Sequence, residues 1–176
     1  GISGRDIVVK SRQLGITSYF QLRHFKPVLT IPNTTAVLVA HEEYLTKRLL
    51  NRIRSWYDRL PNKVVTDQGV MSKPVMHHNS DNEKSFPKLN SVMYIGTARA
   101  YVFGRGEPIH RFHATEFAFW ADPDKILIPA SDAVPLEGEM VVESTPNGQV
   151  GINGQLNRFY ELVEEARYHK GIWKLH

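Results

Sequence analysis

The sequence predicts an α/β protein with a central, mostly parallel β-sheet flanked by helices. The first observation is that short β-branched runs alternate along the chain with segments of helical periodicity. The second is the length of 176 residues, which suits one domain burying about 70% of the surface that its unfolded chain exposes. The third is a composition of 41% apolar and 23% charged residues, which is typical of a globular protein.

Each β-branched or apolar run predicts one strand. The runs at 6–10 and 34–40 are apolar enough to predict strands buried inside the sheet. The polar stretch 62–88 is rich in Pro, Asn, Asp, Ser and His, and we predict loops there with short strands near 75–78 and 84–88. The remaining strands are predicted at 92–98, 109–116, 139–144 and from 172 onwards.

Four helices are predicted between these strands. The clearest spans 42–60, where large apolar residues recur at a spacing of three to four and a proline follows. An earlier helix begins near Ile16 and ends before Pro27, because the residue preceding a proline disfavours the α region. A third lies within 122–133, where an internal proline kinks or ends it. The last, amphipathic helix is predicted over 153–168.

Charge and cysteine content limit the class of protein. The chain has 22 Lys and Arg residues against 18 Asp and Glu, and a net charge of +4 is compatible with a polyanionic partner. The absence of cysteine excludes a disulfide framework and thiolate-ligated zinc or iron–sulfur sites, which fits an intracellular protein. No stretch approaches the roughly 20 apolar residues of a membrane helix, and no signal-peptide pattern is present at the start.

One stretch, K-S-R-Q-L-G-I-T, partly matches the phosphate-binding loop G-x-x-x-x-G-K-[ST]. Gly15 and Thr17 stand at the second glycine and the hydroxyl, whereas Ile16 replaces the lysine and Lys10 replaces the first glycine. A phosphate site needs N–H groups at a helix N-terminus, a cation and a hydroxyl for Mg²⁺. A rearranged loop meets these needs if Lys10 folds back over the phosphates with Arg12 as a second cation. The alternative is a strand–turn–helix with a stray basic residue.

Glu116 is the second candidate, at the end of a predicted strand. An ATPase needs a carboxylate at the C-terminal end of a sheet strand to orient the attacking water. The usual Walker B pattern has Asp immediately before this Glu, but here the residue is Thr115, whose hydroxyl holds a Mg²⁺-bound water without adding charge. The alternative is that Glu116 is an acid placed at a helix N-terminus for the helix dipole.

Two turns carry further candidates. Arg105 lies between two glycines, where it is either a catalytic arginine finger or a solvated turn cation. The strand 139–144 ends in polar turn residues, and Ser144, Thr145 and Asn147 are expected at the same sheet edge as the other motifs. There they sense the γ-phosphate, or they form a tight turn without function.

In this order the motifs resemble a known family. The series K-S-R-Q-L-G-I-T, G-R-G, H-A-T-E-F-A-F-W and E-S-T-P-N-G, followed by a helix with an F-Y pair, resembles the ATPase domain of the large terminase subunit, the DNA-packaging motor of tailed bacteriophages. The resemblance covers 6–176 and is weakest over 62–88. It implies a three-layer P-loop NTPase fold of the ASCE type that hydrolyses ATP with Mg²⁺.

The resemblance also implies the role of each site residue. Glu116 is then the catalytic glutamate, and Arg105 is the finger that acts on the ATP of a neighbouring subunit. Thr17 is a Mg²⁺ ligand and Thr115 holds the metal through a water. Ser144, Thr145 and Asn147 are then the residues that couple hydrolysis to DNA movement. The implied ATP-binding residues are Lys10, Ser11, Arg12, Gln13, Leu14, Gly15, Ile16 and Thr17.

The implied partners are double-stranded DNA, a homo-oligomeric ring of this chain on a capsid portal, and the small terminase subunit, with no membrane. The expected location is the host cell cytoplasm. The stretch 1–176 is expected to be a single ATPase domain cut at both ends, with an adenine-recognition segment before it and a nuclease domain after it, so we predict no nuclease activity. Two other functions remain open: a helicase-like, nucleic-acid-stimulated ATPase, and a non-catalytic P-loop-fold binding module, which Ile16 and Thr115 favour.

Overall fold

A computed structural model describes residues 4–66, 69–80, 82–98 and 107–176. In these ranges the strands form one eight-stranded sheet and a separate two-stranded hairpin. The strands are β1 (Arg5–Val9), β2 (Thr35–Ala40), β3 (Lys63–Thr66), β4 (Gly69–Ser72), β5 (His78–Asn79), β6 (Glu83–Phe86), β7 (Ser91–Thr97), β8 (Arg111–Thr115), β9 (Glu139–Ser144) and β10 (Trp173–Leu175). The α-helices are α1 (Ile16–Thr30), α2 (Glu43–Arg59), α3 (Asp124–Ala133) and α4 (Arg158–Arg167), with 3-10 helices at Pro87–Leu89 and Phe117–Phe119.

The main sheet has the strand order β10-β1-β9-β8-β2-β7-β6-β5. Neighbours from β10 to β7 pair in parallel, whereas the pairs β7–β6 and β6–β5 are antiparallel. The predicted α/β class with a mostly parallel sheet is therefore confirmed, and every strand predicted outside 62–88 is present. Because the parallel strands share one direction, their carboxyl ends meet at one edge of the sheet, where ligands bind in folds of this type.

The sheet is the middle of three layers. Successive residues of a strand point to opposite faces, so Val37 and Val39 of β2 pack with α3 and α4, whereas Ala36 and Leu38 pack with α1 and α2. Both faces of β2 are fully buried. This arrangement is the three-layer architecture that the terminase resemblance implies.

Two prolines lie inside helices rather than ending them. The prediction that the first helix ends before Pro27 is wrong, since α1 continues to Thr30. A proline inside a helix costs about 3 kcal/mol, but Phe25 and Val28 on either side of it are buried in the core. Burying each side chain contributes about 1.5–3 kcal/mol, which offsets the penalty. Pro129 likewise lies within α3 and does not end it. None of the described helices is long and apolar enough to cross a membrane.

The segment 62–88 contains more regular structure than predicted. The hairpin β3–β4 was not predicted; β4 is exposed throughout, so its sequence has no alternation of buried and exposed residues to detect. The strands β5 and β6 are shifted from the predicted 75–78 and 84–88, because a 3-10 helix begins at Pro87. The last helix also begins later than predicted, since Asn157 caps it by accepting a hydrogen bond from the Phe159 N–H at 3.0 Å.

A cluster of polar side chains around the buried Glu139 connects α1 with the sheet. Glu139 accepts from Arg23 Nε at 2.6 Å, lies 3.3 Å from His24 Nε2, and pairs with Arg111 at 3.7 Å. Burial lowers the pKa of His24 to about 4, although the Glu139 carboxylate opposes that shift. The fold therefore holds His24 in its neutral form at neutral pH.

This burial predicts a pH dependence of stability. Because the folded-state pKa of His24 lies below the usual 6.5, the unfolded chain takes up the proton first, and the contribution of neutral His24 to stability is complete above pH 6.5 and lost as the pH falls towards 4. The expected loss is up to about 3 kcal/mol. Urea unfolding of the wild type and of His24→Leu at pH 7 and pH 4.5 measures it. A leucine variant that loses stability as steeply as the wild type over this window would contradict the assignment to His24.

Candidate active site

The carboxyl ends of three neighbouring strands bring the predicted motifs together. Lys10 follows β1, Glu116 follows β8, and Thr145 follows β9, which lies between them in the sheet. The Lys10 N–H donates to the Ser144 carbonyl at 3.1 Å, so the β1–β9 pairing continues into the loop. The side chains that come from distant parts of the sequence thus meet at the edge where parallel sheets bind ligands.

The loop after β1 leads into an open helix N-terminus. Gln13 and Gly15 adopt left-handed backbone conformations, with φ of 64° and 76°, which turn the chain from the strand into α1. No side chain caps this helix and its first turn has no acidic residue. Its first N–H groups and the positive end of the helix dipole therefore remain available to an anion.

Ile16 has a packing role at the position where a P-loop lysine normally stands. It packs against Val8, Phe20 and Val141, a small apolar cluster between α1 and the sheet. A lysine there would have to leave this cluster or place its charge beside it, and burying an unpaired charge is strongly unfavourable. The local packing therefore explains why an apolar residue, and not a lysine, stands at this position.

Lys10 places a positive charge near the start of α1. Its Nζ lies 2.9 Å from Glu116 Oε1 and 3.0 Å from Glu143 Oε2, and it donates to Thr17 Oγ1 at 3.1 Å. Burial alone lowers the pKa of Lys10, but the charges and hydrogen bonds of the two carboxylates outweigh it and raise the pKa above its usual value. Lys10 therefore remains charged at neutral pH, next to the start of α1.

Glu116 has a strained backbone. It lies directly after β8 with φ of 54°, in the left-handed region that non-glycine residues seldom occupy. It precedes the 3-10 helix Phe117–Phe119 but makes no side-chain capping hydrogen bond there, so the geometry does not favour a capping role. Its Oε2 instead accepts from Thr145 Oγ1 at 3.3 Å. Strain of this kind occurs preferentially at functional sites.

Glu143 and His113 belong to the same cluster, and we did not single them out from the sequence as site residues. Both side chains are fully buried, and His113 Nε2 lies 3.2 Å from Glu143 Oε1. Burial alone would raise the pKa of Glu143, but the hydrogen bond and charge of His113 and the charge of Lys10 lower it to about 2. The available signal was a glutamate that follows the apolar run M-V-V near the carboxyl end of the predicted strand E-M-V-V-E-S.

The turn after β9 is tied to the segment that follows Glu116. Ser144 Oγ accepts from the Ala118 N–H at 3.1 Å, and Asn147 Nδ2 donates to the Ala118 carbonyl at 3.4 Å. With the Thr145–Glu116 hydrogen bond, three side chains of the turn therefore contact this segment. A displacement of Glu116 would be transmitted directly to the turn.

The other predicted site residues have different surroundings. Ser11, Arg12 and Leu14 are exposed on the loop, and Thr115 is buried at the end of β8. Arg105 lies outside the described residues. The structure thus brings together Lys10, Thr17, Glu116, Ser144, Thr145 and Asn147 at one sheet edge.

The residues at this edge suit a hard cation that arrives with a phosphate ligand. The Thr17 hydroxyl and the Glu116 carboxylate are oxygen ligands, the type that Mg²⁺ prefers. No group of three or more His, Cys, Asp and Glu residues in the described ranges forms a metal site. Few protein ligands are what Mg²⁺ needs when it is shared with a nucleotide, because it keeps several waters and phosphate oxygens.

Comparison with solved structures identifies the fold. The chain superposes on the large terminase of bacteriophage HK97 with a TM-score of 0.70 at 13% identity, covering 99% of this chain and 35% of that one. It superposes on the large terminase ATPase domain of Thermus phage P74-26 with a TM-score of 0.60 at 18% identity, covering 93% of this chain and 65% of that one. No protein-family model matches the sequence, and the comparison with curated proteins gives no match.

The chain thus spans about a third of the HK97 terminase and about two thirds of the Thermus phage domain. The chain therefore has the fold of the ATPase domains of phage large terminases, which the order of its motifs had predicted.

Proposed function

We propose that this chain is the motor domain of a large terminase, which hydrolyses ATP to translocate double-stranded viral DNA into a procapsid. The observation that carries the proposal is the meeting of Lys10, Thr17 and Glu116 at an uncapped helix N-terminus on the carboxyl edge of the sheet. The fold shared with phage large-terminase structures supports it. Helix, cation, hydroxyl and carboxylate are the parts that phosphoryl transfer to water requires.

Each residue has a role in this proposal. The N–H groups at the start of α1 bind the phosphates, and Lys10 leaves its carboxylate partners to neutralise them. The loop residues Ser11 to Ile16 surround the phosphates with backbone, and Arg12 supplies a second cation. Glu116 orients the attacking water and accepts its proton. Thr17 would hold Mg²⁺ directly and Thr115 would hold it through a water, and the ion would supply positive charge that offsets the negative charge developing on the phosphates.

Coupling to DNA follows from the contacts of the turn after β9. The hydroxyl of Thr145 contacts Glu116, while Ser144 and Asn147 contact the next residues of the same segment. Loss of the γ-phosphate would move Glu116 and, through these hydrogen bonds, the turn. We propose that this movement drives translocation of duplex DNA, bound mainly through its phosphates and hence in a salt-dependent, sequence-tolerant way.

The proposed assembly is a homo-oligomeric ring on a capsid portal in the host cell cytoplasm, with the small terminase subunit as a further partner.

A phosphate-release assay with Mg²⁺-ATP, with and without duplex DNA, tests whether the chain hydrolyses ATP. Turnover is expected, and ATP binding without turnover would favour the binding module. Packaging of DNA into capsids, compared with strand separation of a duplex, distinguishes a terminase from a helicase-like ATPase.

Arg105 is the proposed trans-acting arginine finger. Arg105→Ala should leave nucleotide binding intact and lower turnover by about 10³-fold, and only in assembled subunits, because the finger would act on the neighbour's ATP. Mixing this variant with Glu116→Gln tests that arrangement, since one kind of interface then has an intact finger facing an intact glutamate. Mixed assemblies should recover part of the activity. Mixtures as inactive as the separate variants would exclude a role in trans.

A further inference from the structure

The Lys10 ammonium lies among three oxygen atoms. Thr17 Oγ1 is 3.1 Å, Glu116 Oε1 2.9 Å and Glu143 Oε2 3.0 Å from Nζ. A hydroxyl and two carboxylates arranged around one point favour a cation at that point. Lys10 provides that cation here, and in the proposed function it moves to the phosphates when ATP binds. The carboxylates of Glu116 and Glu143 then need another positive charge, because their shared counter-ion has moved away.

The register of the sheet relates Glu143 to the missing acid of the Walker B motif. P-loop NTPases hold Mg²⁺ with an Asp on the strand that ends near the catalytic carboxylate, and Thr115 stands at that position in this chain. Thr115 of β8 is the register partner of Glu143 on β9. The carboxylate absent from one strand is therefore present on its neighbour, at the same level of the sheet.

The contacts of Glu143 orient its carboxylate. Its Oε1 is 3.2 Å from His113 Nε2, which leaves Oε2 directed at Lys10. The Thr115 hydroxyl is fully buried and has no well-formed hydrogen bond to the described residues. A buried, oriented carboxylate beside a buried hydroxyl suits an ion with a shell of water.

We propose that Glu143 supplies the second carboxylate of the Mg²⁺ site, in place of the Asp that Thr115 replaces. The inference rests on the proposed nucleotide site. His113 acts as a positioning residue that holds Glu143 towards that site. Thr115 then contributes a neutral hydroxyl and not the charge.

Glu139 offers a matched control on the same strand. It is also buried, faces the same side of β9, and pairs with a buried histidine, His24. It lies four residues before Glu143, about 13 Å along the strand. If removing any buried carboxylate from β9 weakens the protein in a general way, Glu139→Gln should show the same defect. A specific loss of Mg²⁺ binding should appear only in Glu143→Gln.

The test measures binding of a fluorescent, non-hydrolysable ATP analogue during a Mg²⁺ titration. Glu143→Gln should raise the Mg²⁺ concentration for half-maximal binding by about tenfold or more, without weakening binding of the metal-free analogue. Glu139→Gln should change neither value. Adding Thr115→Asp to Glu143→Gln should restore much of the Mg²⁺ response, because the charge returns to the neighbouring strand.

A measurement on the unmodified protein avoids dependence on the folding of Glu143→Gln. With glutamate labelled by ¹³C at the carboxyl, Mn²⁺ and the analogue together should broaden the signals of Glu143 and Glu116 and spare that of Glu139. Equal Mg²⁺ dependence in Glu143→Gln and the wild type, or no broadening of Glu143, would overturn this inference and leave the proposed function intact. A wild type that binds no nucleotide would overturn both.

Discussion

Lys10→Ala is expected to abolish measurable ATP binding, with a loss of affinity of about 100-fold or more. The variant loses the charged group next to the N-terminus of α1. It also leaves Glu116 and Glu143, which both contact Nζ in the native structure, without their shared counter-ion. Two uncompensated carboxylates would then repel the phosphates. The dissociation constant for Mg²⁺-ATP, from isothermal titration calorimetry, measures the effect.

Lys125→Ala is the matched control for this prediction. Lys125 also forms an ion pair with a carboxylate, Asp122, but its side chain is 77% exposed and it lies at the start of α3. Its replacement should leave ATP affinity unchanged. Thermal unfolding should be followed in parallel, because Glu143 is buried and loses a partner in Lys10→Ala. A folded Lys10→Ala protein with native nucleotide affinity would exclude the rearranged phosphate-binding loop.

Glu116→Gln is expected to bind ATP and fail to hydrolyse it, with turnover lower by about 10²–10⁴-fold. Glutamine has nearly the same shape and still accepts a hydrogen bond from Thr145, but it cannot take a proton from water. Removing the negative charge also releases Lys10 from one of its two carboxylate partners. Nucleotide affinity should therefore remain the same or increase. Single-turnover hydrolysis and equilibrium binding separate the two effects.

Glu43→Gln provides a control with the same change of charge. Glu43 is on the first turn of α2, with a 76% exposed side chain paired to Lys47. That variant should hydrolyse ATP at the native rate. Native turnover by Glu116→Gln would instead show that another group activates the water, and Glu143 would be the next carboxylate to replace.

Several features of the site could be read from local sequence. The phosphate-binding loop needs a glycine, a hydroxyl and a cation within eight residues, and Lys10, Gly15 and Thr17 are all present there. Glu116 was identifiable because it follows a predicted strand and precedes an aromatic run. These signals lie in residues close together in the sequence, so they can be recognised without knowing which strands are neighbours. The strands outside 62–88 were predicted correctly because most of them contain apolar or β-branched runs.

Other features depend on residues far apart in the sequence. The path of α1 through Pro27 depends on the burial of Phe25 and Val28 against other elements, which local propensity does not include. Glu143 is 133 positions from Lys10, and nothing in either segment indicates the contact between them. Both belong to the site only because β9 is placed between β1 and β8.

By itself, the sequence determined the α/β class, the order of the motifs and the identity of Lys10, Thr17 and Glu116 as candidates. Periodicity, loop chemistry and residue type are local properties, and each of these conclusions needs only them. Tertiary structure alone decided that Glu143 and His113 join the site and that Ile16 is held in an apolar cluster. Strand order and register set those contacts, and they result from the packing of the whole sheet between its two helical layers.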